Sequence, residues 1–310
     1  MNQLGGRAEI VKLGRLLGLA PQKLEFLQAV DPLAIRALRE QMSDALFDDA
    51  RSRLQRVAAA SRLLPAGINA MIGEKVFGAM LCARVAGLLP AEQALETARK
   101  LPTGFLADVS LELDPRSAKG VIARLPAEQV VAIAQELIKR REFVVMARFV
   151  DYLLDSTLET VIHAIHDDAV LLQIASFLES PQRIDQIVGF MSPARLASLI
   201  QTAASGGADT DGYWDEALGL MAAVGDKTRK KLADLAAQQD DAVLGSMLKA
   251  VQMQDLWDVL LPIINSMGES AQQRLTQFAL TQGVKPKLLR QKARSLGLSA
   301  QLETMLAKAG

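Results

Sequence analysis

The sequence predicts an all-α fold, an α-superhelix built as a solenoid-like stack of short helices. Three observations predict it. Apolar residues recur at helical spacing in one segment after another, helix-starting prolines fall at nearly regular intervals, and strand-favouring residues are scarce. Aromatic residues make up only 4% of the chain. Ala, Leu, Met, Glu, Gln, Lys and Arg, the better helix formers, carry it instead.

Taken in order, the first 65 residues read as three or four helices marked by Pro21, Asp31-Pro32 and Pro65. GINAMIGEKVFGAMLCARVAGLL, residues 67–89, is the most apolar stretch, and Glu74, Lys75 and Arg84 argue against a membrane span. Its small residues Ala70, Gly73, Gly78 and Ala79 suit a closely packed core helix. The same segment is also a candidate wall for a pocket that holds an apolar small molecule or lipid. Pro90, Pro102, Pro115 and Pro126 follow, then Ser156, Asp168, Pro181 and Pro193. Proline is tolerated at the start of a helix because its missing N–H has no partner there, and Asp114, Ser180 and Ser192 stand ready to cap such starts.

Between these markers the spacing is helical. Ala118, Val121, Ile122 and Leu125 fall at i, i+3, i+4 and i+7, as do Leu158, Val161, Ile162 and Ile165. Ile184, Ile187, Val188 and Met191 repeat it, and so do Leu196, Leu199, Ile200 and Ala203. Helices that short are marginal alone, so the pattern predicts stacking of each on its neighbours. ASGGADTDG, residues 204–212, reads as a flexible linker. Beyond it, turn signals near Asp226, Asp240, Asp255 and Glu269 continue the array, and two short helices flank Gly297. The division expected is a helical region over 1–87, repeats over 88–204, a linker over 205–212 and a second array over 213–310.

LLPAEQALETARKLP, LELDPRSAKGVIARLP and LPAEQVVAIAQELIKR resemble the cytoplasmic N-terminal domain of MgtE-type magnesium transporters and the related middle repeats of FliG. The resemblance covers roughly residues 88–204. It implies helices of about twelve residues coiled into a right-handed superhelix that contacts other proteins. Neither the paired CBS modules nor the membrane region of such transporters follows here, so a transporter is not what it implies. A magnesium-responsive regulatory domain is one further reading that rests on this analogy.

Charge narrows the function classes. Lys plus Arg and Asp plus Glu both number 35, a balance unlike that of a protein devoted to nucleic acid. The lone Cys82 rules out an internal disulfide and suits a reducing compartment, and no apolar run is long enough to span a membrane. The expectation is a cytoplasmic chain. Phosphate-loop, dinucleotide and serine-hydrolase fingerprints are missing, and two histidines leave few groups for acid–base work. The expectation is therefore not an enzyme, with no cofactor.

Five stretches are candidate sites. RREFVVMARFVDYLL interleaves Arg140, Arg141 and Arg148 with Phe143, Phe149 and Tyr152, the residue types enriched at protein–protein hot spots. Lys285, Lys287, Arg290, Lys292 and Arg294 form a basic patch, and KTRKK at 227–231 a second. His163, His166 and Asp167 have spacing that could hold a transition metal, but the favoured reading is that Asp167 or Asp168 caps the next helix. Cys82, in an apolar helix, reads as a buried structural thiol. The function expected is a non-catalytic adaptor for a protein partner, with binding of an apolar small molecule or lipid as the alternative and nucleic acid disfavoured.

Overall fold

In a computed structural model, residues 3–205 and 212–298 are described, and all regular structure among them is helical. The chain forms two compact units, one ending at His166 and the other starting at Asp167. The divisions expected at 87/88 and across 205–212 both fall inside a unit.

The first unit opens with α1 (Gln3–Leu17), a 3-10 segment (Pro21–Leu27) and the long α2 (Pro32–Ser61). Ile10 and Leu13 of α1, Leu24 and Ile35 close a small core between them. The apolar 67–89 stretch becomes α3 (Ala66–Ile72), a π turn (Gly73–Phe77) and α4 (Gly78–Ala86). Gly78 ends the π turn at φ 75°, a conformation costly for any residue with a Cβ. Then come α5 (Ala91–Ala98), α6 (Thr103–Glu112), the single turn α7 (Lys119–Ile122), α8 (Ala127–Lys139), α9 (Phe143–Val150) and α10 (Asp155–Ala164).

Alternate helices pack side by side. α4 meets α6, α6 meets α8 and α8 meets α10, while α3 meets α5 and α5 meets α7. That is a two-layer array, the arrangement by which short helices bury their single apolar stripes. The prolines work as starts: the carbonyls of Pro90, Pro102 and Pro126 accept the first helical bonds, each at 3.0 Å, from Ala94, Leu106 and Val130. They sit at the N-cap, one place before the first helical residue expected for them.

Pro115 differs. The Asp114 carboxylate accepts the Arg116 N–H at 3.0 Å, and Ser117 and Ala118 bond back to Asp114 and Pro115. These local bonds make a turn in place of a helix, so the stripe at Ala118, Val121, Ile122 and Leu125 is carried by one helical turn.

The second unit repeats the plan with α11 (Asp168–Ala175), α12 (Pro181–Phe190), α13 (Pro193–Ala204), α14 (Trp214–Ala223), α15 (Asp226–Ala237), α16 (Asp241–Gln254), α17 (Trp257–Ser266), α18 (Glu269–Thr281) and α19 (Pro286–Ser295). One row runs α11, α13, α15, α17, α19, and the other includes α12, α14 and α16. Ser180 and Ser192 cap as expected, each accepting at 3.2 Å from the backbone N–H three residues on. Trp214, Leu218, Leu244, Leu260 and Leu275 fill the centre.

Residues 206–211 of the expected linker lie outside the described residues, but the chain on either side is tied together. Tyr213 N–H donates to the Ala203 carbonyl at 2.9 Å, and the Trp214 indole donates to Ser246 at 3.1 Å. The helices before and after this stretch belong to one core.

Candidate functional site

Five segments of the first unit converge on a cleft of about 560 Å³. α1 supplies Lys12 and Arg15; α2 supplies Arg39, Ser43 and Asp44; α4 supplies Ala83 and Arg84. The end of α6 and the Asp114 turn add Glu112, Asp114, Arg116 and Ser117, and α9 adds Val144 and Arg148. Among the described residues six cations and three carboxylates line it, in a chain whose formal net charge is zero. The excess is local.

Its floor is a buried ion cluster. Glu9, 2% exposed, accepts from Lys12 at 3.0 Å, from Arg39 at 3.2 Å and from Arg36 at 3.3 Å. One carboxylate thus faces three cations, and burial makes such a group costly unless it is paired. Arg15 pairs with Glu142 at 2.6 Å. Arg116 holds Asp114 at 2.7 Å and Asp44 at 2.8 Å. Burial alone would raise the Asp114 pKa; the hydrogen bonds from Arg116, helped by the nearby charge of Arg148, outweigh it and hold the carboxyl below its ordinary value. Arg148 donates to the Leu113 carbonyl at 3.3 Å. Arg84, half-buried, forms no hydrogen bond or ion pair with any described residue.

Beside the cleft lies an apolar face. Leu63, 85% exposed, and Leu64 precede α3; Ile68 and Met71 lie on it; Val76, 73% exposed, Phe77 and Met80, 62% exposed, continue along the π turn and α4. The opposite side of the same segment carries Asn69, Ala70, Ala83 and Val85 into the core. Asn69 fixes that orientation by donating to the carbonyls of Ser61 at 2.8 Å and Leu64 at 3.2 Å. Met80 and Arg84 are one helical turn apart on α4, so the apolar face borders the cationic cleft.

The sequence candidates are distributed differently. Phe143 is buried, and Phe149 and Tyr152 pack on the core cluster around Ala83, Val109, Leu113 and Ile122. Phe149 and Tyr152 are half-buried, with one side of each ring against that core. Arg140 is engaged by Asp108 at 2.5 Å and Glu136 at 3.2 Å, and exposed Arg141 has left-handed backbone at φ 58° with its guanidinium 5.9 Å from the Phe143 ring centre. Of the six candidate residues in that segment, Arg148 is the one that lines the cleft.

His163 and His166 do not form a metal centre with Asp167. α10 ends at Ala164 and Ile165 is extended, which takes His166 off the helical face it needed to share. Asp167 instead caps α11, accepting from the Ala169 N–H at 2.9 Å. Among the described residues no three His, Cys, Asp or Glu side chains gather into a set able to hold a metal ion.

In the basic patch, Lys285 and Lys287 are exposed, while Lys292 bridges Asp255 and Asp258, each at 3.2 Å. Arg290 turns its Nε inward. In the 227–231 cluster, Arg229 closes the end of α14 by donating to the carbonyls of Met221, Ala222 and Val224. Burial pushes the Cys82 thiol up to about 11, so it stays protonated at neutral pH. The cleft formed beside residues 67–89 is charged, where an apolar pocket was the alternative to a packed core helix.

No family model matches the chain, and neither does any curated protein or solved structure. No helix among the described residues is long and apolar enough to cross a membrane.

Proposed function

We propose that this chain is a non-catalytic helical-repeat adaptor that docks a protein partner on the apolar face of its first unit. The observation that carries the reading is the row Ile68, Met71, Val76, Phe77 and Met80, large apolar side chains turned outward on one continuous segment. Contiguous exposed apolar patches mark interaction sites, and methionine-bearing faces adapt well to helical or extended partners. Among the described residues the second unit lacks a counterpart: its exposed large hydrophobics there are the separate Met253 and Leu288. The partner surface accordingly moves from residues 140–152 to residues 63–80.

The test is a photo-cross-linking residue placed at Val76, and separately at Met253, in cells producing the full chain. A discrete protein adduct at Val76, absent at Met253 and lost in the F77S/M80S variant, supports the adaptor reading. Equal labelling at both positions, or none, contradicts it.

A further inference from the structure

We propose that the cationic cleft of the first unit binds a small molecule bearing a phosphate-class dianion, with Arg84 and Arg148 as its principal ligands. The cleft borders the apolar docking face but is lined by different residues, and the inference does not rest on the adaptor reading.

Three observations converge on it. Among the described residues the lining carries twice as many cations as carboxylates, six against three, although the chain as a whole is neutral. Most of the charge inside is already matched: Arg15 has Glu142, Arg116 has Asp114 and Asp44, and Lys12 and Arg39 share Glu9. Arg84 stands apart, a half-buried guanidinium that bonds to no described residue although its helix is packed into the core. A partly desolvated cation without a counter-charge is unfavourable, and an anion entering the cleft relieves that cost.

The chemistry of the lining selects the kind of anion. Five of the six cations are arginines, whose planar forks match phosphate oxygens two at a time. Arg148 also lines the cleft, one turn of chain beyond Val144, so a second guanidinium beside Arg84 suits a ligand of more than one negative charge. Ser43 adds a hydroxyl to the wall. The volume of about 560 Å³ lies in the range of small-molecule sites. Cations reach it from five segments on several sides, a geometry better suited to a compact ligand than to an extended acidic peptide.

The experiment is isothermal titration calorimetry of the full chain with inorganic pyrophosphate at fixed ionic strength, repeated with inorganic phosphate, with adenosine diphosphate and with a deca-glutamate peptide. The expected result is one site per chain for pyrophosphate, at about 1 mM or tighter, weakening as salt is raised. R84A should weaken it at least about tenfold and R148A similarly, while K287A in the second unit leaves it unchanged. Because Arg84 bonds to no described residue, R84A should melt with the parent protein, so a loss of binding reports the site and not the fold. R84K, which keeps the charge but not the fork, should lie between. Tighter adenosine diphosphate binding would assign the source as a nucleotide; equal or weaker binding would leave the phosphate group itself as the determinant. The proposal is overturned if pyrophosphate gives no saturable heat, if R84A and R148A bind as the parent does, if K287A removes the binding, or if deca-glutamate binds more tightly than every phosphate.

Discussion

Asp114 and Arg116, two residues apart, hold each other through both backbone and side chain. The carboxylate accepts the Arg116 N–H at 3.0 Å, the guanidinium Nη2 donates at 2.7 Å, and Nε lies 3.2 and 3.0 Å from the two oxygens. This clasp makes the turn that interrupts the helical pattern and places Arg116 in the cleft. The Asp114 pKa lies below its ordinary value of 3.8, so the stabilisation is complete above that value and is lost as the pH falls through the folded-state pKa. D114N should cost about 1–2 kcal/mol at neutral pH. Urea unfolding should show the parent and D114N converging in stability below about pH 4.

Glu9 offers a stronger test of buried charge. E9Q leaves Lys12 buried and Arg36 and Arg39 facing a neutral group. Breaking a buried pair from one side costs about 3–5 kcal/mol, and replacing both partners by apolar groups restores much of it. Denaturant midpoints should therefore place E9Q well below the parent and the E9L/K12M double variant between them.

Two glycines should respond in opposite directions to alanine. Gly212 has φ 91°, and a Cβ there would stand 2.3 Å from the Ala203 carbonyl oxygen, so G212A should lose at least about 2 kcal/mol. Gly245, inside α16, has no atom within 4 Å of an added Cβ. G245A should gain about 0.5–1 kcal/mol. Thermal melts of the two variants check both signs.

Cys82 should resist alkylation. With its pKa pushed up from 9.0 to about 11 by burial, the thiolate fraction at pH 8 falls about a hundredfold. Iodoacetamide labelling of the native chain should be slower than labelling in urea by at least that factor. The same shift works against folding at alkaline pH: the unfolded thiol ionises first, so this contribution to stability is full below pH 9 and declines as the pH rises towards 11.

What the sequence made legible was local. Pro90, Pro102, Pro126, Ser180 and Ser192 act on the next few residues, and each stands at a helix start. The stripe Leu158, Val161, Ile162 and Ile165 is buried as its spacing requires. The cleft was not legible, because Lys12, Arg39, Arg84, Arg116 and Arg148 lie far apart in sequence and meet only through the packing of α1, α2, α4 and α9. Of these, Arg148 alone was a candidate, and for a surface whose rings pack, wholly or in part, against the core. Composition identified the aromatic cluster around Phe149 but carried no information on which side of the array it faces. Exposure along residues 63–80 was hidden for the same reason: an apolar run reads as core until its helix is seen to lie at the edge. The unit boundary at His166 and Asp167 carries no glycine-rich signal, whereas the glycine-rich stretch interrupts a single core.

The adaptor reading meets its most direct test in native mass spectrometry of the protein isolated gently from its own cells, beside the F77S/M80S variant. The account predicts a stoichiometric complex with a polypeptide many kilodaltons in mass, present for the parent and lost for the variant. Bare chain in both samples, or chain carrying only a few hundred daltons, would contradict it.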